Sequence, residues 1–318
     1  MRVRFLTEIM GHFHQAAVDL VTSLVTLRMR LAAAVFAVLV VAWTLPVAAQ
    51  PYDRGLLWRV DGGGAQPSHV FGTIHVSDPR VTQLPPPVSR ALADARSLTI
   101  EVGLDPSNLL ALASRMVFLD GRDLPGAVGP ELYEKTAALT GKLGLPEPAV
   151  RLFKPWAIAL LLSVPQQDPS EVLDFILADA ARAQGKPVHE LESVDEQVGV
   201  FEGLPDGDQI ALLRRAVENF EQMPRAIGRV IEAYLARDLA AMQRIGEEMA
   251  GRAAADKQLN ERITRRLVDE RNVRMAERMQ PRLKEGSAFI AIGALHLYGG
   301  SGVLAELARR GWRVTRIY

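Results

Sequence analysis

The chain has 318 residues, of which 48% are hydrophobic and 23% are charged, with 37 basic and 37 acidic side chains. This balance of charge is not typical of a nucleic-acid-binding protein, and the apolar content is too high for a disordered chain. The sequence contains no cysteine, which excludes disulfides, thiolate metal sites and a cysteine nucleophile. Metal chemistry would therefore depend on histidine, aspartate and glutamate. The length predicts one or two domains.

The beginning of the chain has the pattern of a secretory signal peptide. Residues 31–45 form an uncharged apolar run that follows arginines and precedes Val47 and Ala49, the small residues of a cleavage site. We therefore expect residues 1–49 to be removed and the protein to be exported to the periplasm or cell envelope of a bacterium. An uncleaved membrane anchor is the alternative, although the run is shorter than the span of about 20 residues that a bilayer needs.

The residues before this signal are interpreted as a start-site artefact. Met29 begins a complete signal peptide by itself, so residues 1–28 are not needed for export. Residues 1–49 contain four arginines and two acids, which leaves 33 basic and 35 acidic side chains in residues 50–318. This near balance again argues against nucleic acid as a partner. The membrane is expected as a partner only through the N-terminal signal, if that signal is not cleaved.

Strand patterns come first in the mature chain. The apolar segments 57–60 and 68–71 are separated by a glycine-rich turn and predict a β-hairpin. A proline-rich start then predicts a helix over 84–95, since proline is tolerated in the first turn. A strand over 97–102 follows.

The pattern from about 105 to 285 is mostly helical and is punctuated by prolines. One strand interrupts it at 186–191, and its last helix is predicted from about 256 to 283, before Gly286. The pattern then returns to a strand, a helix and a closing strand: 288–292, 301–310 and 312–318.

Two segments of the chain resemble each other, residues 71–76 (FGTIHV) and residues 292–297 (IGALHL). Each places G-x-x-H at the end of a strand that a helix and another strand follow. Strand–helix–strand units with a parallel return cover one sheet. We therefore predict an α/β (α+β) fold for residues 50–318. Its central mixed sheet would consist of two strand–G-x-x-H–helix–strand units, with a large helical insertion at about 105–285.

Four residues of ligand type are predicted at the carboxyl ends of strands: His75, Glu101, Glu192 and His296. Ligands of parallel α/β sheets bind at this edge. Two imidazoles and a carboxylate can hold a catalytic divalent metal ion and leave a position open to water. Such an ion would activate water and polarise a carbonyl group. The alternative for each G-x-x-H is a histidine whose hydrogen bonds are satisfied within the core.

An arginine is predicted within the last helix of the insertion. Leu267, Arg271 and Met275 are spaced by four and therefore share one stripe of that helix. An arginine on an apolar stripe must find a carboxylate or a ligand. A buried pair with a site acid and an orienting role toward a ligand both stay open. Asn272 is placed to reach an adjacent face.

Smaller features surround these candidates. Gly72 and Gly293 precede the two histidines and permit a close approach of the backbone, so we expect them, with Glu192, just behind the ligands. Ser193 is predicted to cap the helix that follows it. In the glycine-rich segment before the last helix, Ser301 is either an N-cap or part of an anion site.

The sequence resembles the TraB/GumN family over essentially the whole mature chain. The segments that carry this resemblance are SHVFGTIH at 68–75, LTIE at 98–101, LESVDEQ at 191–197, ERN at 270–272 and FIAIGALHLYG at 289–299. The family also includes PrgY and is similar to the Tiki proteases, which are membrane-associated and metal-dependent. In those proteases the paired G-x-x-H motifs and a glutamate carry activity. The wider superfamily is similar to erythromycin esterases and to a haem-binding lipoprotein, and it shares an α/β core.

The resemblance implies that His75, His296 and Glu101 hold a divalent ion such as Mn, Co or Zn. Glu101 would be a third ligand or a general base, and Arg271 and Asn272 would be further catalytic residues, with Arg271 as an orienting cation. We expect an exported, peptidase-like hydrolase that acts on a peptide or another small envelope substrate. The rival hypothesis is a non-catalytic periplasmic binding protein for a peptide, a tetrapyrrole or a glycan. A third hypothesis is an envelope scaffold.

Overall fold

The computed structural model describes residues 51–62, 66–103, 106–165, 172–251 and 254–318. The predicted signal peptide and the proposed start at Met29 lie outside the described residues. Within the described ranges, no helix is both long and apolar enough to cross a membrane.

Strands and helices occupy most of these ranges. The strands are β1 (Leu57–Asp61), β2 (Ser68–Thr73), β3 (Ser97–Ile100), β4 (Val188–Glu190), β5 (Ala288–Gly293) and β6 (Arg313–Arg316). The helices up to β4 are α1 (Pro79–Thr82), α2 (Pro86–Asp94), α3 (Pro106–Arg115), α4 (Leu124–Val128), α5 (Pro130–Lys142), α6 (Glu147–Val150), α7 (Pro155–Ser163) and α8 (Leu173–Ala183). The later helices are α9 (Val194–Glu202), α10 (Asp206–Asn219), α11 (Met223–Leu235), α12 (Leu239–Ala250), α13 (Ala254–Thr264), α14 (Glu270–Arg278), α15 (Gln280–Glu285) and α16 (Val303–Arg309).

The strands form one six-stranded mixed sheet with the order β4-β3-β5-β2-β1-β6. Strand β1 is antiparallel to both of its neighbours, β2 and β6, which confirms the predicted hairpin. The other neighbouring pairs are parallel. Because β1 alone is reversed, the carboxyl ends of the other strands lie at one edge of the sheet. The chain therefore has an α/β fold with a mixed sheet and many helices.

The centre of the sheet determines where the two G-x-x-H segments leave it. Strand β5 is buried along its whole length, as its continuous apolar run predicts. The register of β2 with β5 places Thr73 opposite Gly293. The two segments that carry His75 and His296 therefore leave the sheet side by side. Separation along the sequence does not prevent the two segments from meeting.

Two hydrophobic cores support this edge. The first surrounds the sheet and includes Phe71 and Phe289, whose ring centroids lie 5.8 Å apart. The second lies within the helical region, where Trp156 stacks on Phe201 at 5.6 Å. Full burial of such a side chain stabilises the fold by about 1.5–3 kcal/mol. The sheet edge with its two histidine segments thus rests on packed side chains from both regions.

Three predicted elements differ from the structure. The helix predicted over 256–283 is interrupted by a π-helix at Arg265–Asp269 and breaks again before α15. The 3.6-residue periodicity of a sequence does not detect the extra residue that a π-turn contains. The second G-x-x-H segment is predicted at the end of a strand, but β5 ends at Gly293 and His296 lies in a 3₁₀ turn at Ala294–Leu297. Ser301 is not an N-cap, because α16 begins after Gly302 without a side-chain cap.

Candidate active site

His75 follows β2 at the carboxyl edge of the sheet and is buried. Its Nδ1 lies 2.8 Å from Oδ2 of Asp174, in the first turn of α8. The hydroxyl of Thr73 donates to the other carboxylate oxygen of Asp174 at 2.8 Å, which fixes the orientation of that carboxylate. A carboxylate accepts and does not donate, so the contact places a proton on Nδ1 of His75. Burial lowers the pKa of His75, but Asp174 and Glu101 outweigh burial and raise it above its ordinary value.

His296 lies in the 3₁₀ turn after β5 and is fully buried. Its Nδ1 lies 2.6 Å from the amide oxygen of Asn272, whose amide nitrogen donates to the carbonyl of Ser301 at 2.9 Å. Because Asn272 is fixed in this way, its oxygen accepts the Nδ1 proton of His296. The Nε2 atom of His296 has no hydrogen-bond partner among the described residues. Burial lowers the pKa of His296 to about 4, so the imidazole is neutral at pH 7.

Glu101 follows β3 and faces His296. Its Oε1 lies 3.8 Å from Nε2 of His296 and accepts the backbone N–H of Gly293 at 2.5 Å. Its Oε2 accepts from Nη2 of Arg271 at 2.7 Å. Burial raises the pKa of Glu101, but the charge of Arg271, with smaller effects that include the backbone N–H of Gly293, outweighs burial and lowers it. Glu101 is therefore ionised at neutral pH.

Arg271 joins Glu101 to a second buried carboxylate. Its Nε and Nη2 donate to Oε2 of Glu192 at 2.9 and 2.7 Å, and its Nη1 donates to the carbonyl of Leu267 at 3.1 Å. Leu267 belongs to the π-helix, so this turn helps to hold the guanidinium. Arg274 donates to the other oxygen of Glu192 at 2.9 Å. The charges of this network, two negative and two positive, are balanced, and all of them except that of the partly exposed Arg274 are buried.

The two glycines bring the backbone close to these side chains. A Cβ on Gly72 would lie 2.9 Å from the Cα of Ala294, so only glycine permits β2 to approach the turn that carries His296. Gly293 donates its N–H to Glu101 at 2.5 Å. Glu192 follows β4, and its N–H donates to the Glu101 carbonyl at 2.8 Å. Gly72 therefore packs on the turn that carries His296, whereas Gly293 and Glu192 are bonded to Glu101.

The chemistry of these residues fits a divalent metal ion in part. Both imidazoles have Nδ1 at an acceptor, which is how histidine ligands are usually oriented. Ligand atoms lie about 2.0–2.2 Å from zinc, so two ligands are at most roughly 4.4 Å apart, and the 3.8 Å between Glu101 and His296 is within that limit. No three histidine, aspartate or glutamate side chains in the described ranges are grouped so as to hold a metal ion.

Asp174 was not found by sequence reasoning. It lies 101 residues from Thr73, and the α8 pattern gives it no distinguishing feature. Arg271 pairs with Glu101 and Glu192, so the buried pair with a site acid is present. The predicted cap at Ser193 is confirmed, because Ser193 and Glu196 form a capping box at the start of α9.

Comparison with known protein families places this arrangement in context. The model of the TraB/PrgY/gumN family matches residues 56–316, which include both G-x-x-H segments and Glu101. The chain belongs to the TraB/PrgY/gumN family. The resemblance that the sequence motifs indicated is thereby confirmed.

Relatives of this family member include proteins named as metalloproteases. Metalloprotease TIKI1 of Danio rerio is 26% identical over 346 residues, which cover 87% of this chain and 69% of that protein. Metalloprotease TIKI1 of Homo sapiens is 26% identical over 312 residues, with 82% and 61% covered. The uncharacterized protein YbaP of Escherichia coli (strain K12) is 23% identical over 248 residues, with 76% and 87% covered. No solved structure matches the chain.

Proposed function

We propose that this chain is an exported metal-dependent hydrolase that acts on a peptide bond. One observation carries the proposal: His75 and His296 come from two G-x-x-H segments at one sheet edge, and each presents Nδ1 to an acceptor. Glu101, which is ionised, lies 3.8 Å from Nε2 of His296. In this proposal the sheet consists of two strand–G-x-x-H–helix–strand units, with the helical region inserted between them.

Metal binding is supported by the donor chemistry, by the neutral His296 and by relatives that are named metalloproteases. No three acidic or histidine side chains of the described residues are grouped so as to hold an ion, so metal binding must be measured directly. A bound divalent ion such as Zn, Mn or Co would supply the Lewis acidity that polarises a carbonyl and activates water. His75, His296 and Glu101 are the proposed ligands.

The remaining residues have separate roles in this proposal. Asp174 and Asn272 hold the two imidazoles, so that each ring keeps one tautomer and one orientation. Arg271 keeps Glu101 ionised. The ionised Glu101 is either a third ligand or a general base that takes the proton of the attacking water. Arg271 also presents positive charge near the site, where a substrate carbonyl becomes negative in the transition state.

Export and a substrate from the cell envelope complete the proposal. The apolar run at 31–45 with its cleavage pattern supports export, although it lies outside the described residues. The proposed substrate is a peptide or another small molecule of the envelope. The charge balance of the sequence gives no support for nucleic acid.

The test uses the four histidines of the described chain in matched pairs. His75→Gln and His296→Gln should abolish metal-stimulated cleavage of a quenched fluorescent peptide library. His69 and His189 lie within strands, before the residues that form the site, so His69→Gln and His189→Gln should retain it. A chelator should stop the wild-type reaction, and added metal should restore it. Full activity of His75→Gln and His296→Gln, or activity that is unaffected by a chelator, would contradict the proposal.

Glu101→Gln separates the two roles of the carboxylate. The amide keeps the size of the side chain and one oxygen, but it cannot take a proton. If Glu101 is the general base, metal content should stay near wild type while turnover falls by roughly 10²–10⁴-fold. If Glu101 is a ligand, metal affinity should fall together with turnover. Full activity of this variant with metal supplied would exclude both roles.

A second candidate function is supported by the pairing of the buried charges. Arg271 and Arg274 already balance Glu101 and Glu192 without an ion. Such a site suits a non-catalytic binding protein for a peptide, a tetrapyrrole or a glycan. A binding protein should keep its ligand in the presence of chelator, whereas the proposed hydrolase should lose turnover.

A further inference from the structure

An apolar cavity lies beside the candidate active site and has a volume of about 200 Å³. The wall on the side of the sheet is formed by residues 73–76, at the end of β2 and after it, and by residues 293–295, at the end of β5 and in the turn that follows. His75 belongs to this wall. The cavity is therefore continuous with the edge of the sheet at which His75, His296 and Glu101 lie.

Helices supply the other walls, and they belong to both hydrophobic cores. Met242, Ile245 and Ala226 belong to the core around the sheet. Trp156 and Ala216 belong to the core of the helical region. The cavity thus lies where the two cores meet, and most of its lining is apolar; the polar lining residues are Thr73, His75, Ser163, Arg215 and Asn219. A polar or charged group would lose its hydration here and find few partners.

The cavity is open to solvent. Several of its lining side chains are half-buried rather than buried: Ser163, Asn219, Met223 and Met249. A side chain of a bound peptide can therefore enter from solvent. Methionine is flexible and polarisable, so it adapts to apolar groups of different shape. Met223, Met242 and Met249 all line the cavity.

The size of the cavity limits what it can hold. An engineered apolar cavity of about 150 Å³ binds benzene, whereas drug-sized ligands occupy pockets of about 300–1,000 Å³. A cavity of about 200 Å³ is therefore suited to a single large apolar side chain and is too small for a larger ligand.

We propose that this cavity is the specificity pocket of the site and binds one aromatic or large aliphatic side chain of a peptide. That side chain would belong to a residue adjacent to the peptide bond held near His75, His296 and Glu101. The position of that bond rests on the proposed hydrolase function, but binding of the side chain does not require catalysis.

Variants of one helix test the pocket. Ala226 lines the cavity, whereas Ala233, also in α11, is buried outside it. Ala226→Leu fills the pocket, and Ala233→Leu is the matched control for added volume in this helix. Ile227→Ala, in the cavity wall, enlarges the pocket and gives a second variant if Ala226→Leu does not fold.

Binding is measured first, so that the result does not depend on catalysis. Acetylated tripeptide amides with Phe, Trp or Ala at the central position are titrated by calorimetry in the presence of chelator. The wild type should bind the Phe peptide about tenfold more tightly or better, as expected for a hydrophobic pocket. Ala226→Leu should remove most of this preference, Ala233→Leu should keep it, and Ile227→Ala should shift it toward Trp. Equal affinities in the wild type, or a preference that none of these variants changes, would overturn the pocket.

Cleavage of the corresponding quenched peptides with metal then separates the two proposals. The ratio of kcat/KM for Phe over Ala should follow the binding preference in each variant. A binding preference that follows the variants without any cleavage supports the pocket and contradicts the hydrolase. Cleavage without any preference for Phe supports the hydrolase and overturns the pocket.

Discussion

Removal of Arg271 should destabilise the protein, because it leaves a buried carboxylate without its counter-ion. Arg271 is only 5% exposed and hydrogen-bonds to Glu101, to Glu192 and to the carbonyl of Leu267. In Arg271→Met, Glu192 still accepts a hydrogen bond from Arg274. Glu101 keeps only the backbone N–H of Gly293 and the distant His296. The loss of stability therefore comes mainly from the unpaired carboxylate of Glu101.

The expected size of the effect follows from this burial. Removal of one partner from a buried ion pair costs about 3–5 kcal/mol. In a chain of this size each kcal/mol lowers Tm by about 2–4 °C, so Arg271→Met should lower Tm by roughly 6–20 °C. Calorimetry or circular dichroism at pH 7 measures the difference. Arg274→Met is the control, because its side chain is 33% exposed and Glu192 keeps both hydrogen bonds from Arg271, so its loss should cost less than the loss of Arg271.

A double variant identifies the cause of the destabilisation. Glu101→Gln in the Arg271→Met background replaces the unpaired charge by a neutral amide, and it should recover a large part of the lost Tm. A Tm of Arg271→Met within about 2 °C of the wild type, less than a single kcal/mol predicts, would refute this description of the charge network. A double variant that is less stable than Arg271→Met would refute it as well.

Three further changes test other parts of the structure. Asp174→Asn should weaken metal binding by about 10–100-fold without unfolding, since it removes the charge that faces Nδ1 of the first G-x-x-H histidine; wild-type affinity in a competition titration would contradict this role. Gly72→Ala should lower the free energy of unfolding by about 1–3 kcal/mol, because the new Cβ clashes with the turn after β5. Gly228→Ala is the control, because a Cβ there meets nothing within 4 Å. Equal melting temperatures of the two variants would exclude the clash. Hydrogen bonding to Arg278 lowers the pKa of Glu196 to about 2, so its stabilisation is present above the unfolded pKa of 4.5 and lost as the pH falls toward 2. Glu196→Gln should therefore be less stable than the wild type at pH 7, and urea titrations should show the difference disappearing near pH 2; a difference that persists there would contradict the ion pair.

The sequence predicted the parts of the site that depend on strand ends. His75, Glu101 and His296 each follow an apolar strand, and the carboxyl ends of parallel strands meet at one edge. The hairpin and the mixed sheet could be predicted for the same reason, because period-2 alternation and glycine-rich turns are local signals. Gly72 and Gly293 carried a backbone signal that the structure explains through close packing and a hydrogen bond to Glu101.

Other features depend on contacts that local patterns do not contain. Asp174 comes from a helix far along the chain, and an aspartate in the first turn of a helix is usually explained by capping and the helix dipole. The π-turn before Arg271 changes which residues share a face, while the spacing of apolar residues stays nearly helical. The partners of Arg271 lie after two different strands, so only the assembled sheet shows that they meet.

Metal binding by residues 50–318 tests the central claim most directly. The purified protein is treated with chelator, dialysed and titrated with Zn, Mn and Co, and its metal content is measured by mass spectrometry. The wild type and His189→Gln should each retain one ion per chain, whereas His296→Gln should lose it. A wild type that binds none of these ions, or His296→Gln that binds one as tightly as the wild type, would contradict the proposed metal site.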